Sequence, residues 1–229
     1  MLEIVNCSKT FGSRTLWAAV NWTVQPGQMA ALMGPSGSGK STLLNCIGTL
    51  DNVSAGSISW KGQPISGIKE RAKRSLRRRE LGYLFQDYGL VESETVNRNI
   101  SYGTGRIWFW QRDSYTSELE AVGLAGRGSE PVHVLSGGEQ QRVAVARLMN
   151  KKPTLVLADE PTGSLDDANA VRVLDLLRTL ADDGAAVVIA THSAMVHDVC
   201  TTCLHLESLP GEESCPVVSD RLLGKVHDE

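Results

Sequence analysis

"MAALMGPSGSGKST", residues 29–42, decides how this chain folds. Its first five residues are apolar with no polar alternation, the pattern of a strand buried on both faces, and they run straight into a glycine loop. "GPSGSGKS", Gly34 to Ser41, satisfies G-x-x-x-x-G-K-[ST] at every fixed position. In such a loop the backbone wraps closely and aims successive N–H groups inward as an anion nest. Gly34, Pro35, Ser36, Gly37, Ser38 and Gly39 form the nest. Lys40 brings a point charge for the β- and γ-phosphates of a nucleotide, and the Ser41 hydroxyl is a ligand for Mg²⁺. Thr42 lies at the start of a helix, reaching about Gly48, whose dipole faces the phosphates. The plain alternative, a flexible Gly/Ser linker, does not account for a Lys-Ser ending after an apolar strand.

Outward from this loop, strand and helix signals alternate. "LEIVNC" and "SISWKG" read as short early strands, residues 69–80 as a basic helix, and "LGYLF" at 81–85 as another strand. "TLVLAD", a helix over 165–181 with Leu165, Ala168, Val171, Leu174 and Leu177 as its stripe, and "AAVVIAT" follow. Alternation of this kind implies a mostly parallel sheet covered by helices on both faces. Residues 87–150 read as a helical lobe inserted between two sheet-forming portions, 1–86 and 151–206. Residues 207–229 read as a loosely packed tail. The lobe contains an aromatic knot, Trp108, Phe109 and Trp110, which suits either a docking groove or the lobe's own small core.

Composition narrows the class. The chain has 229 residues, 41% hydrophobic and 21% charged, enough for one domain with a core. A net charge of −3 argues against a dedicated nucleic-acid binder. No apolar run approaches the ~20 residues of a membrane-spanning helix, and "MLEIVNCSKTFG" lacks the order of a signal peptide. A cytosolic protein with reduced thiols is expected, and Cys200-Thr-Thr-Cys203, without a second pair, reads as two ordinary helix or strand thiols. The basic segment has seven Lys or Arg among residues 69–80. It reads first as a solvated helix face, with contact to anionic lipid as the alternative.

The remaining candidate residues cluster by chemistry. "LVLADE" ends a strand in Asp159 and Glu160, where parallel sheets bind ligands. Asp159 would hold Mg²⁺ through water, and Glu160 would polarise the attacking water as general base. His192, after "VVIAT", and Gln86, after "GYLF", could reach the terminal phosphate. Either would be an ordinary structural residue if it stood alone. Phe11, in "SKTFG", could stack on adenine, the alternative being a place in the core.

A second anion cradle stands about a hundred residues on. "LSGGEQQR", Leu135 to Arg142, is a glycine turn opening a helix, the usual form of a phosphate-binding helix start. "GPSGSGKS", Gln86, "LSGGEQQR", "LVLADE", "PTGSLD" (161–166) and His192, in this order, resemble the nucleotide-binding subunit of an ATP-binding cassette (ABC) transporter. The resemblance covers residues 2 to about 206. It implies a phosphate-loop NTPase of the ABC ATPase kind: α/β, with a mostly parallel sheet core, an antiparallel β portion and an inserted helical lobe. It also answers why there are two cradles. Two copies would face head to tail, and Ser136, Gly137 and Gly138 of one would close on ATP held by Lys40 of the other. Asp166 would cross the interface beside the opposing site. Gln86 would hinge the lobe, sense the phosphate and join Ser41 and Asp159 around Mg²⁺.

The same resemblance implies ATP hydrolysis and an integral membrane permease as partner, in two copies, with this chain on the cytoplasmic side of a bacterial membrane. Nucleic acid is not expected as a partner. Within the family the chain is most similar to the lipoprotein-release, macrolide-export and hemin- or peptide-efflux group, which moves amphiphiles by a lever-like motion. The alternative is a regulatory ATPase that signals through a membrane partner to a cell-wall hydrolase. Repair and translation ATPases of this kind carry a long coiled-coil insertion or two cassettes, and neither suits this length. Phe11 stands where the family more usually has Tyr.

Overall fold

The computed structural model describes residues 1–104, 115–163, 165–207 and 220–222. Ten strands and seven helices are found among them. In chain order they begin β1 (Leu2–Phe11), β2 (Arg14–Val24), β3 (Met29–Met33), α1 (Lys40–Ile47), β4 (Ala55–Trp60), β5 (Gln63–Pro64) and α2 (Glu70–Arg79). Then come β6 (Leu81–Leu84), α3 (Val96–Ser101), α4 (Thr116–Ala121), α5 (Gly137–Lys151), β7 (Leu155–Asp159) and α6 (Asp167–Asp182). β8 (Ala186–Thr191), α7 (Ala194–Val199), β9 (Thr202–His205) and β10 (Asp220–Leu222) complete the set.

Two sheets form. One is antiparallel, in the order β2-β1-β4-β5, and the other runs β10-β9-β3-β8-β7-β6. In the second, all neighbours are parallel except β10, which pairs antiparallel with β9. The central strands β3, β7 and β8 are buried along almost their whole length, as their unbroken apolar runs require.

Three apolar clusters fill the molecule. One lies between the antiparallel sheet and one face of the larger sheet and includes Trp17, Trp22, Leu44, Ile58 and Leu204. A second covers the opposite face with α5, α6 and α7, and includes Leu148, Val173, Leu177 and Val196. The third is the core of the helical region, with Val96, Ile100, Leu119, Leu124 and Val143. Helix α5 serves both of the latter, turning Ala144, Val145 and Leu148 to the sheet and Val143 and Ala146 to α3 and α4. The lobe is therefore seated on the sheet through a shared helix.

One expectation is corrected and one strand is added. The core stripe of α6 is Ala170, Val173, Leu174, Leu177, Leu180 and Ala181, while Ala168 and Val171 face solvent. A spacing of three drifts round a helix of 3.6 residues per turn, so the expected stripe could not stay on one face. Strand β2, unread in the sequence, buries Trp17, Val20, Trp22 and Val24. Its pairing with β1 shifts register, and Ala19 has φ 53°, so the alternation is broken by a bulge before Val20. Trp108, Phe109 and Trp110 lie outside the described residues. So does the C-terminal stretch beyond Glu207, apart from β10.

Candidate active site

The loop after β3 and the first turn of α1 form the floor of a cleft of about 1070 Å³. Of the positions expected to cradle phosphate, Gly34 to Thr42, all line it except Gly34 and Ser38. Gln86, Glu160, His192 and Phe11 line it as well. Parallel pairing explains the convergence. Met33, Asp159 and Thr191 close neighbouring strands β3, β7 and β8, so the loops that follow them open at one sheet edge.

Gly34 permits the close approach on which this loop depends. A Cβ there would stand 2.3 Å from the Leu206 carbonyl oxygen and 2.7 Å from Ser38 Oγ. Ser38 Oγ is buried without a hydrogen-bond partner among the described residues, which suits a loop shaped for an anion. Lys40 is buried, and its Nζ donates to the carbonyls of Gly34 and Pro35 at 2.9 and 3.2 Å. The Ser41 hydroxyl donates to Asp159 Oδ1 at 3.0 Å. Burial raises the Asp159 carboxyl above the usual range, and neighbouring Glu160 adds to the rise. A buried lysine, the buried Ser38 hydroxyl and turn amides fit a polyphosphate, and a hydroxyl bonded to a carboxylate fits a hard divalent cation.

Glu160 sits where a general base would be useful. Its φ is 45°, a conformation that costs a non-glycine residue about 1–2 kcal/mol. Its amide donates to the Ala190 carbonyl at 2.8 Å, which holds the turn. The carboxylate accepts from Thr191 Oγ1 at 3.0 Å and lies 2.9 Å from His192 Nδ1 and 3.9 Å from Lys40 Nζ. A strained backbone whose side chain has three fixed partners indicates pre-organisation. Phe11 is 54% exposed on the rim, so it is not a core residue, and the Lys9 ammonium lies 4.7 Å from its ring centre.

The second cradle is absent from the cleft lining. Ser136 and Gly137 are exposed and Gly138 half-buried, while Asp166 caps α6 at another exposed point. The Ser136 turn is well made. Ser136 Oγ accepts from the Glu139 amide, and Glu139 Oε2 accepts from the Ser136 amide at 2.8 Å, a capping box. Arg127 pairs with Glu139 from outside the helix. These contacts, the Ser136 amide foremost, hold the Glu139 carboxyl below the usual range.

The structure adds residues to the expected set. Arg14 and Leu16 from β2, Tyr88 and Gly163 also line the cleft. Tyr88 has φ 64°, and Arg147 donates to its carbonyl at 2.9 Å. Its hydroxyl lies close to Gly137, 3.2 Å from where a Cβ there would stand. The turn signal at Asp87-Tyr88-Gly89 was the available clue.

The ABC transporter family model matches residues 17–163. The lipoprotein-releasing system ATP-binding protein LolD 2 of Rhodospirillum rubrum is 40% identical over 215 residues, covering 90% of this chain and 93% of the relative. The phosphonates import ATP-binding protein PhnC of Alcaligenes faecalis is 37% identical, covering 96% of this chain and 82% of the relative. The macrolide export ATP-binding/permease protein MacB of a Shewanella species is 37% identical, covering 86% of this chain and 31% of the relative. A dimeric, post-hydrolysis ATP-binding cassette, MJ0796, solved with ADP and Pi superposes with a TM-score of 0.82 at 28% identity, covering 98% of this chain and 99% of that one. Phosphate loop, paired carboxylates, capped glycine turn and overall likeness agree: this chain belongs to the ABC transporter family and is an ABC ATPase, an ATP-binding subunit of the LolD/MacB type.

Proposed function

We propose that the chain hydrolyses ATP in composite sites made by two copies arranged head to tail, and that the cycle drives an integral membrane permease on the cytoplasmic side of a bacterial membrane. One observation carries the shared pocket. The cleft gathers the phosphate loop, Gln86, Glu160, His192 and Phe11, whereas Ser136, Gly137, Gly138 and Asp166 stand outside it. A capped, exposed helix start of this kind is built to receive an anion brought from elsewhere.

Each residue then has a task. Phe11 stacks on the base, the amides of residues 36–39 and Lys40 hold the phosphates, and Glu160 takes a proton from the attacking water while Thr191 and His192 fix its carboxylate. Gln86 and His192 contact the terminal phosphate from the cleft wall, and the partner's Ser136 turn closes over it. Ser41, Asp159 and Gln86 would hold Mg²⁺, which when bound neutralises charge on the β- and γ-oxygens. Likeness to LolD 2 and MacB supports extraction or efflux of an amphiphile. Likeness to a phosphonate importer makes uptake the competing direction, decided by whether amphiphiles stimulate ATP turnover of the chain co-purified with its permease. Among the described residues no helix is long and apolar enough to cross a membrane, which suits a peripheral subunit.

The test mixes two inactive variants, Lys40→Ala and Ser136→Ala. A shared pocket gives each mixed pair one intact site, so ATP turnover returns on mixing. Mixtures that stay inactive while both proteins fold and pair would refute the shared pocket.

A further inference from the structure

Outside the cleft, α7 and β9 bring three metal-ligating side chains together. The ligand atoms of His197, Cys203 and His205 all lie within 4.8 Å of one another. Cys203 and His205 alternate on one face of β9, with Cys203 Sγ 3.2 Å from His205 Nε2. The rings of His197 and His205 have centres 6.3 Å apart and are tilted by 55°, so they do not stack on each other. From these positions we propose that His197, Cys203 and His205 form a Zn²⁺ site, with solvent in the fourth position.

The distances suit that ion. Zn–S near 2.3 Å and Zn–N near 2.0–2.1 Å, at tetrahedral angles, put ligand atoms about 3.3–3.6 Å apart. The Cys203–His205 pair stands close to that spacing. The widest separation closes by about 1 Å, a shift open to the His197 side chain, which is 33% exposed. Asp198 Oδ1 lies 3.3 Å from His197 Nδ1. A carboxylate accepting from Nδ1–H leaves Nε2 to bind metal and fixes the ring, as second partners do in zinc sites. One thiolate with two imidazoles selects a borderline ion over Mg²⁺ or Ca²⁺. On binding, the Cys203 thiol releases its proton to solvent, each ligand atom donates a lone pair, and no oxidation state changes. Cys200 lies outside the group whose ligand atoms converge. The site shares no residue with the nucleotide cleft, although α7 starts two residues after His192 and His205 pairs in register with Met33, next to Gly34.

Co²⁺ titrated into the full chain after chelator treatment tests this. One ion per chain should bind, with the intense visible bands of a tetrahedral site and a near-ultraviolet sulfur-to-metal charge-transfer band, and Zn²⁺ should displace it. Zn²⁺ at a hundredfold excess over its Kd should raise Tm by about 5–10 °C. Cys203→Ser should remove the charge-transfer band. Because Cys203 lies in the core, His197→Gln and His205→Gln, at less buried positions, should each weaken binding at least tenfold, and Cys200→Ala should leave the spectrum intact. Absence of the charge-transfer band, undiminished Co²⁺ affinity in both histidine variants, or loss of the band in Cys200→Ala would overturn the site. Co²⁺ held by Ser41 and Asp159 has oxygen ligands and gives no sulfur band.

Discussion

Replacing Glu160 by Gln separates chemistry from architecture at this site. The carboxamide keeps a carbonyl oxygen for the Thr191 hydroxyl, 3.0 Å away, and sits on the same backbone, so the conformational cost at φ 45° is common to both proteins. What changes is charge. At 3.9 Å from Lys40 Nζ the carboxylate attracts the ammonium by about 4 kcal/mol gross at an effective dielectric near 20. Lys40 retains its two carbonyl acceptors, and the uncharged amide is cheaper to bury. The expected net loss is therefore about 1–2 kcal/mol without nucleotide, or roughly 2–8 °C in Tm. With nucleotide the sign reverses. The phosphates supply the missing negative charge and no longer meet a carboxylate, so ATP should bind as tightly as before or up to about tenfold tighter. Turnover should fall by about 10²–10⁴, the usual contribution of a general base, a barrier increase of roughly 3–5 kcal/mol. The assay pairs equilibrium ATP binding with steady-state phosphate release on one preparation. Hydrolysis within about threefold of the parent, with ATP bound, would show that the proton leaves by another group.

Two further outcomes follow from local geometry. Gly37→Ala places its Cβ in open space and meets only the cost of φ 80°, about 1–2 kcal/mol; Gly34→Ala meets a backbone oxygen at 2.3 Å and should cost a further 1–3 kcal/mol or so. Thermal melts of the pair check this, and equal Tm values would contradict the close approach of Leu206 to the loop. At acid pH, Glu80 matters: its bond from Lys61, first, and that from Thr154 hold its carboxyl below the usual 4.5. A depressed carboxyl stabilises the fold above its unfolded pKa and loses that contribution as pH falls through the folded one. The stability gap between the parent and Glu80→Gln, from urea melts, should therefore be constant near neutrality and shrink below about pH 4.5. A gap that widens on acidification would reverse the assignment.

The legible parts of this molecule were those written in short stretches. The phosphate loop, the Asp159-Glu160 strand end and the Ser136 turn each need only residues adjacent in sequence, so spacing and residue type sufficed. Strand β2 was not legible because its bulge breaks the two-residue period that marks a half-buried strand. With it went Arg14 and Leu16, which line the cleft only because β2 folds back on β1. Cys200-Thr-Thr-Cys203 looked ordinary because the partners of Cys203 are not another cysteine pair. They are histidines that a helix and a strand bring beside it, and nothing in the linear spacing announces that. Gln141 inside "LSGGEQQR" is 2% exposed, but a glutamine on a polar helix start reads as solvated.

That glutamine bears on how two distant cradles can act as one device. Gln141 Nε2 donates to the Pro161 carbonyl at 2.9 Å, in a buried bond to the residue after Glu160. The next residue, Arg142, donates to Asn169 Oδ1 at 2.7 Å, and Asn169 donates through its amide and side chain to Asp166 at 2.9 and 2.7 Å. Gly138 packs on the same Asn169 side chain. The helix that presents one chain's Ser136 turn is thus fastened to the loops carrying that chain's Glu160 and Asp166. The Gln141 bond, which is buried, resists independent movement, because breaking it leaves an unsatisfied donor or acceptor costing about 1–3 kcal/mol. In a head-to-tail pair, seating Ser136 on a neighbour's phosphate therefore bears directly on the Glu160 of its own chain. Under the proposed pairing, the two pockets would be coupled through these contacts inside each subunit.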